Sequence, residues 1–276
     1  MNLPTVVSRR PRVVDPVRLF GDYMRLTGTP TLAAETGQPG LTGKTLALLN
    51  GSNWVSLWGA WFGRQILPGV KLVQVGSDAT QLSFMRAHDA GEACPPPRNS
   101  RAFSQLAKAT IELHRPDAML LTCSTMNRAV GAVRRAVARS GVPVVQIDEP
   151  MMEAAVERGG RILIIATHGP TVASTKAILA ETAAKMNREI RFVGATIEEA
   201  FELLGRGAIA RHNALIARAI RAEQKRGRLD SIVLAQLSMA VFALEHPRAE
   251  REFGVPVFTS AECGFRRIRD LLLRRS

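Results

Sequence analysis

The 276-residue chain is 46% hydrophobic, 22% charged and 5% aromatic, a globular balance with enough length for two domains. No apolar run approaches the roughly 18 residues of a membrane span, and Arg9, Arg10, Arg12, Asp15 and Arg18 interrupt the apolar runs a secretory signal would need. Three cysteines, Cys94, Cys123 and Cys263, form neither a disulfide framework nor a CxxC zinc pattern, which argues for a reducing, cytoplasmic setting and no metal. The net charge of +13 favours anionic partners, or is a habit of an Arg- and Ala-rich chain. Its basic residues are spread out and not interleaved with aromatics, which argues against a nucleic-acid platform. The oligomeric state is left open, a homo-oligomer included.

Residues 1–43 are rich in Pro, Gly and Thr and read as an N-terminal extension with one helical piece, about Asp15 to Leu26. Thr45 to Leu49 is an apolar strand and Asn50-Gly-Ser-Asn53 a tight polar turn. A helix follows with Trp54, Trp58 and Trp61 at i, i+4 and i+7, a spacing that predicts one shared packing face. Ser52 or Asn53 can cap that helix, whose N-terminus favours an anion. Val70 to Val75 is the next strand. Pro95, Pro96 and Pro97 forbid regular structure beside Cys94. A helix from Ala102 to Leu113 leads into Asp117-Ala-Met-Leu-Leu-Thr-Cys123-Ser-Thr-Met-Asn127, a buried-strand pattern that breaks into hydroxyl residues around a cysteine. Arg128 to Arg139 is helical, Gly141 ends it, and Val142 to Ile147 is a strand. Strands alternating with helices predict a mainly parallel α/β sheet.

The second half repeats the first. Asp117-Ala-Met-Leu-Leu-Thr-Cys-Ser-Thr-Met aligns with Asp230-Ser-Ile-Val-Leu-Ala-Gln-Leu-Ser-Met, and Gly141-Val-Pro-Val with Gly254-Val-Pro-Val, both at an offset of 113 (117 to 230, 141 to 254). Lys44-Thr-Leu-Ala-Leu-Leu-Asn50 corresponds to Arg161-Ile-Leu-Ile-Ile-Ala-Thr167. A period this long predicts two pseudo-symmetric, flavodoxin-like α/β lobes, 44–148 and 161–260, facing one cleft. Residues 149–160 form a connecting helix, and a last helix, 261–276, is free to pack back on the first lobe. Ligands bind at the carboxyl ends of strands in such sheets. Cys123 stands at such an end, and its counterpart is Gln236. Cys94, in a proline loop, and Cys263, opposite Pro150, read as structural.

In this order, Leu121-Thr-Cys-Ser-Thr125, Val142-Pro-Val-Val-Gln-Ile-Asp-Glu149 with Met152 and Ala154-Ala155, Gly160-Arg-Ile-Leu-Ile-Ile-Ala-Thr167 with Pro170-Thr171, and Asp230-Ser-Ile-Val-Leu-Ala-Gln-Leu-Ser-Met239 resemble the aspartate/glutamate/hydantoin racemase superfamily over roughly residues 44–275. The resemblance implies a two-lobed α/β protein without pyridoxal phosphate or metal, acting on a small carboxylate or dicarboxylate. It implies two cysteines, one per lobe, flanking the carbon next to a carboxylate. It makes Cys123 the first of them and Ser124, Thr125, Asn50, Ser52, Asn53, Thr167 and Thr171 carboxylate holders, with Gln236 and Ser238 in the equivalent loop of the second lobe. Gln236 stands where the second cysteine belongs and cannot exchange a proton near pH 7, so a two-thiol racemase is not implied intact. Single-cysteine decarboxylases and maleate isomerases also belong to the superfamily, although the decarboxylases keep their cysteine in the second lobe. His168, beside Thr167, can stand in as acid or base. Asp148 and Glu149 read as part of the lobe connection. A binding protein that kept the cleft without turnover is the rival from another class.

Overall fold

The computed structural model describes residues 15–28 and 36–275. Pro16–Thr27 forms α1, capped by the Asp15 carboxylate, which accepts from the N–H of Val17 at 3.0 Å and of Arg18 at 3.3 Å. Proline sits in its first turn, where a missing N–H costs nothing. No residue of α1 is buried, and the helix lies in a unit separate from the rest.

The larger unit runs β1 (Thr45–Asn50), α2 (Ser56–Ile66), β2 (Lys71–Gly76), α3 (Asp78–Asp89), α4 (Pro97–Leu113), β3 (Ala118–Leu121), α5 (Val130–Val137), β4 (Val144–Gln146) and α6 (Glu149–Arg158). It continues with β5 (Gly160–Ala166), α7 (Gly169–Lys185), β6 (Ile190–Thr196), α8 (Glu198–Gly205), α9 (Ile209–Arg226), β7 (Ser231–Leu234), α10 (Phe242–Glu245), α11 (Ala249–Phe253), β8 (Val257–Thr259) and α12 (Ser260–Leu273). The strands make two four-stranded sheets, β2-β1-β3-β4 and β6-β5-β7-β8, with every pair parallel. Two lobes of one topology are thus present, in the flavodoxin-like order. The central strands are continuous apolar runs because helices cover both of their faces. Leu46 to Leu49, Ala118 to Leu121, Ile162 to Ala166 and Ile232 to Leu234 are all buried.

The repeated residues do the same work in each lobe. Asp117 accepts from the backbone N–H of Thr45 at 2.7 Å, and Asp230 from that of Arg161 at 2.8 Å, so each pins the start of a central strand. Gly141 and Gly254 each end a helical segment in the left-handed region, at φ of 70° and 69°, where a side chain is disfavoured.

Each lobe is completed by a helix that follows the other lobe's last strand. Met151, Met152, Ala155 and Val156 of α6 pack with Ile162, Ile164 and Val233 of the second sheet. Phe265, Ile268 and Leu272 of α12 pack with Leu46, Leu48 and Leu120 of the first. The helices are exchanged, so neither sheet is covered by its own half of the chain alone.

Some local expectations shift. Asn53–Val55 is a 3-10 turn, and α2 starts only at Ser56. That breaks the tryptophan face: Trp58 packs on the core, whereas Trp54 and Trp61 are about two-fifths exposed. Helix α4 begins at Pro97 because proline fits a first helical turn. Helices α3, α8, α9, α10 and α11 and strand β6 are additions to the sequence reading.

Candidate active site

In each sheet the strand order reverses between the two central strands, β1 and β3 in one lobe, β5 and β7 in the other. A crevice opens beyond the strand ends at such a switch point. Gly51 and Ser52 follow β1, Thr122 to Met126 follow β3, His168 follows β5, and Gln236 to Ser238 follow β7. All of them line one pocket of about 80 Å³. Cys123 and Gln236 therefore share a cavity, each just past an equivalent strand.

Cys123 is placed by a very close approach of two turns. A Cβ on Gly51 would lie 2.2 Å from the Cys123 sulfur, so only glycine lets the thiol sit there. The thiol is 3.0 Å from the Thr125 hydroxyl, at the head of the 3-10 segment Ser124–Ala129. Burial pushes the thiol up from its ordinary value. The Thr125 hydroxyl and the N–H groups of Met126 and Thr125 oppose that rise, and the nearby Asp148 adds to it. Cys123 is thus a neutral thiol at neutral pH, suited to giving a proton, and the thiolate left behind has donors waiting.

Gln236 is held by its carbonyl oxygen, which accepts from the Thr167 N–H at 2.7 Å and hydroxyl at 2.9 Å. Its amide nitrogen remains as a donor. Ser52 and Ser238 line the pocket with no hydroxyl partner among the described residues. Asn50 and Thr122 form a support beneath: the Thr122 hydroxyl donates to the Asn50 side-chain oxygen at 2.6 Å, and the Asn50 amide to Gln74 at 2.8 Å. Asn50, Thr167 and Thr171 are buried off the pocket wall, and Asn53 is exposed and bound to Asp78 through its N–H at 2.7 Å. Of the residues singled out from sequence, the structure brings Ser52, Cys123, Ser124, Thr125, His168, Gln236 and Ser238 onto the wall and leaves those four behind or beside it.

His168 reaches across to the first lobe. Its Nε2 is 2.9 Å from the Met85 sulfur, and its ring lies 5.5 Å from His88 and 6.0 Å from Phe201. Burial, then His88, lowers its pKa against the weaker opposing pull of Glu198 and Asp89, so the imidazole is neutral. Its Nδ1 is buried without a partner.

Sequence reasoning missed the apolar wall. Trp54, Val55, Phe84, Met85 and Phe201 line the pocket, and the Trp54 indole donates to Gln81 at 3.0 Å. Among the described residues no lysine or arginine lines it. The repeat held a signal for two of these residues: α3 and α8 occupy equivalent places after β2 and β6, and they carry Phe84 and Phe201. The buried Asp148 carboxyl was also undervalued. It accepts from the Ser124 hydroxyl at 3.0 Å and the Gln146 amide at 2.8 Å. Glu149 instead pairs with Arg134 at 2.7 Å on the surface. Among the described residues no three His, Cys, Asp or Glu cluster as a metal site, and no helix is long and apolar enough to cross a membrane.

Two parallel α/β lobes with a thiol at their shared switch-point pocket define a class of two-lobed α/β proteins with one interlobe site. Residues 72–268 match the family model described as Asp/Glu/hydantoin racemase, and the chain belongs to that family. Similar solved structures include the following three. Glutamate racemase from Francisella tularensis, in complex with D-glutamate, has 13% identity and a TM-score of 0.60 over 84% of this chain and 82% of that one. An aspartate racemase homologue from Pyrococcus horikoshii has 18% identity and a TM-score of 0.60 over 83% and 99%. A maleate cis-trans isomerase variant from Nocardia farcinica, with a covalently bound succinylcysteine intermediate, has 16% identity and a TM-score of 0.53 over 84% and 99%. At these identities the likeness establishes the fold. No curated protein matches by sequence.

Proposed function

We propose that this chain is a cofactor-independent enzyme of racemase-like type that acts at the carbon α to a carboxylate through one cleft cysteine, Cys123. The observation that carries this is the pairing of a neutral thiol with a glutamine amide in one pocket, at equivalent strand ends. An α-proton beside a carboxylate is very weakly acidic, so an enediolate needs preorganised donors. Ser52, Thr125, Ser238 and the Gln236 amide offer neutral ones. In a decarboxylation the C–C bond to the departing carboxylate breaks, carbon dioxide leaves and the electron pair stays as an enediolate. The Cys123 thiol delivers its proton to that α-carbon on one face, and the thiolate, held by Thr125 and the N–H groups behind it, regains a proton from water.

Gln236 provides no second base. His168, the other candidate base, has its Nε2 on the Met85 sulfur and its Nδ1 buried, so the reaction is one-faced, an isomerisation or a decarboxylation in preference to fast racemisation. The aromatic and thioether wall, with no cation on it among the described residues, favours a small carboxylate bearing an apolar substituent over a second carboxylate. The free thiols fit a reducing, cytoplasmic setting.

A small-carboxylate-binding protein without turnover is the second reading, favoured by the protonated state of Cys123 and the inert Gln236. Incubation in D₂O with mono- and dicarboxylates, followed by NMR, separates the two. Deuterium incorporation or carbon dioxide release that disappears in Cys123→Ala supports the enzyme. Saturable binding with no exchange and no product supports the binding protein.

A further inference from the structure

Asp148 is a fully buried carboxyl that the proposed chemistry does not use, yet it shares Ser124 with the pocket. Its hydrogen bonds have a fixed sense. The Gln146 side-chain oxygen accepts from the backbone N–H of both Asp148 and Glu149, at 2.8 Å each, which fixes the orientation of that amide. The Gln146 nitrogen must then face Asp148, and it donates to Oδ2 at 2.8 Å. Oδ2 is thereby an obligate acceptor. A proton on this carboxyl can sit only on Oδ1, the oxygen 3.0 Å from the Ser124 hydroxyl.

We infer that Asp148 is a protonation-dependent positioning residue that sets the direction of the Ser124 hydroxyl. As a carboxylate, Asp148 takes the Ser124 hydrogen, and Ser124 can only accept from the pocket. With a proton on Oδ1, Asp148 donates to the Ser124 oxygen, and the Ser124 hydrogen is released to donate to an anion in the cleft. Binding an anion then takes up one proton from water onto Asp148, and release of the anion returns it.

Burial pushes the Asp148 carboxyl up to about 7 against the opposing effects of Gln146 and Ser124, with Glu149 adding to the rise, so the two states exchange near neutrality. The charged neighbours on the packed elements are few. Cys123 faces it from the turn after β3, just ahead of the 3-10 segment, and Glu149 opens the adjoining helix. Arg134 of α5 is paired with Glu149, Arg267 of α12 with Glu153, and Glu181 of α7 with Arg128.

The inference rests on the reading of Cys123 as a cleft thiol, and one experiment tests the two separately. Cys123 is alkylated with iodoacetate, a small carboxylate, and with iodoacetamide, its neutral isostere, in a Cys94→Ala/Cys263→Ala background from pH 6 to 8.5. Both reagents need the thiolate, so the ratio of their rates reports only the pocket's preference for an anion. That ratio should fall by about tenfold as pH rises through 7, the worth of one hydrogen bond to a charged group. Asp148→Asn, whose amide donates permanently to Ser124, should keep the ratio flat at its acid-side value. Ser124→Ala, which keeps Asp148 and stands as the control if the Asn variant does not fold, should be flat at the alkaline-side value. A pH-independent ratio in the parent protein overturns the relay. A fall that persists in Ser124→Ala also overturns it, since charge repulsion by Asp148 alone would then suffice. Failure of both reagents to label Cys123 removes the cleft reading itself, and the relay with it.

Discussion

Cys123 and Gln236 stand at the same place in two copies of one lobe, and the difference between a thiol and an amide decides which faces of a substrate carbon can exchange a proton. Cys123→Ala is expected to abolish turnover, while Cys94→Ala and Cys263→Ala leave it nearly intact, as initial rates will show. Cys263 is poorly suited to chemistry in any case, since burial pushes its thiol up to about 11. Gln236→Cys should create or raise α-deuterium exchange on the second face, read by NMR in D₂O; no gain would mean that residue 236 does not face the reacting carbon. Asp148 makes a prediction on stability. Its folded pKa of about 7 lies above an unfolded value near 3.9, so between them the native state holds more protons. The stabilisation is complete below the lower value, is lost as pH rises toward 7, and stays lost above it. The full difference is about 4 kcal/mol at 1.36 kcal/mol per pKa unit, an upper figure. Urea melts of Asp148→Asn should match the parent near pH 4 and show the variant more stable above pH 7. The opposite order at alkaline pH would mean that the ionised carboxylate is well compensated.

At the scale of elements, the pocket depends on turns that approach one another more closely than side chains allow. Gly51→Ala places a carbon 2.2 Å from the Cys123 sulfur and 2.9 Å from its Cβ, so the turn after β1 or the end of β3 must move. Overpacking of this kind costs about 1–3 kcal/mol. Thermal melts should show that loss, and Cys123 should alkylate at a changed rate; identical melts and rates would contradict the close contact. The central strands were legible in the sequence because β1, β3, β5 and β7 are unbroken apolar runs, and Gly141 and Gly254 marked equivalent turns. The cleft walls were not. In α3, Leu82 is exposed, Phe84 is buried, and Met85 meets His168 of the other lobe. Its apolar residues serve two surfaces, so no single helical face stands out. Trp54, spaced like a packing residue, reaches the pocket wall for a different reason: it lies in the 3-10 turn Asn53–Val55 ahead of α2, off the face of that helix. Asp148 was visible as a residue, but its burial follows from how α6 meets the Ser124 turn, a contact that local periodicity does not encode.

For the whole molecule, the exchange of α6 and α12 makes each lobe's stability a property of the other half of the chain. Deleting residues 260–276 removes Phe265, Ile268 and Leu272 from the core they share with Leu46, Leu48 and Leu120. Each such side chain contributes about 1.5–3 kcal/mol on burial, against a total stability of about 5–15 kcal/mol for a native protein. Helix α12 also crosses close to β4: a Cβ on Gly264 would lie 2.5 Å from the Ile147 side chain and 3.0 Å from its carbonyl oxygen. Further ties span the cleft, with Ser174 donating to Asn127 at 2.9 Å and Arg128 paired with Glu181 at 2.6 Å. The lobes should therefore melt together. Calorimetry of the full chain is expected to give one transition whose calorimetric and van't Hoff enthalpies agree, and the chain ending at Thr259 should lose that transition while keeping helical signal from the second lobe. Two resolved transitions in the full chain, or a cooperative melt in the truncated one, would mean that the lobes fold on their own and that the exchanged helices do not bind them into one unit.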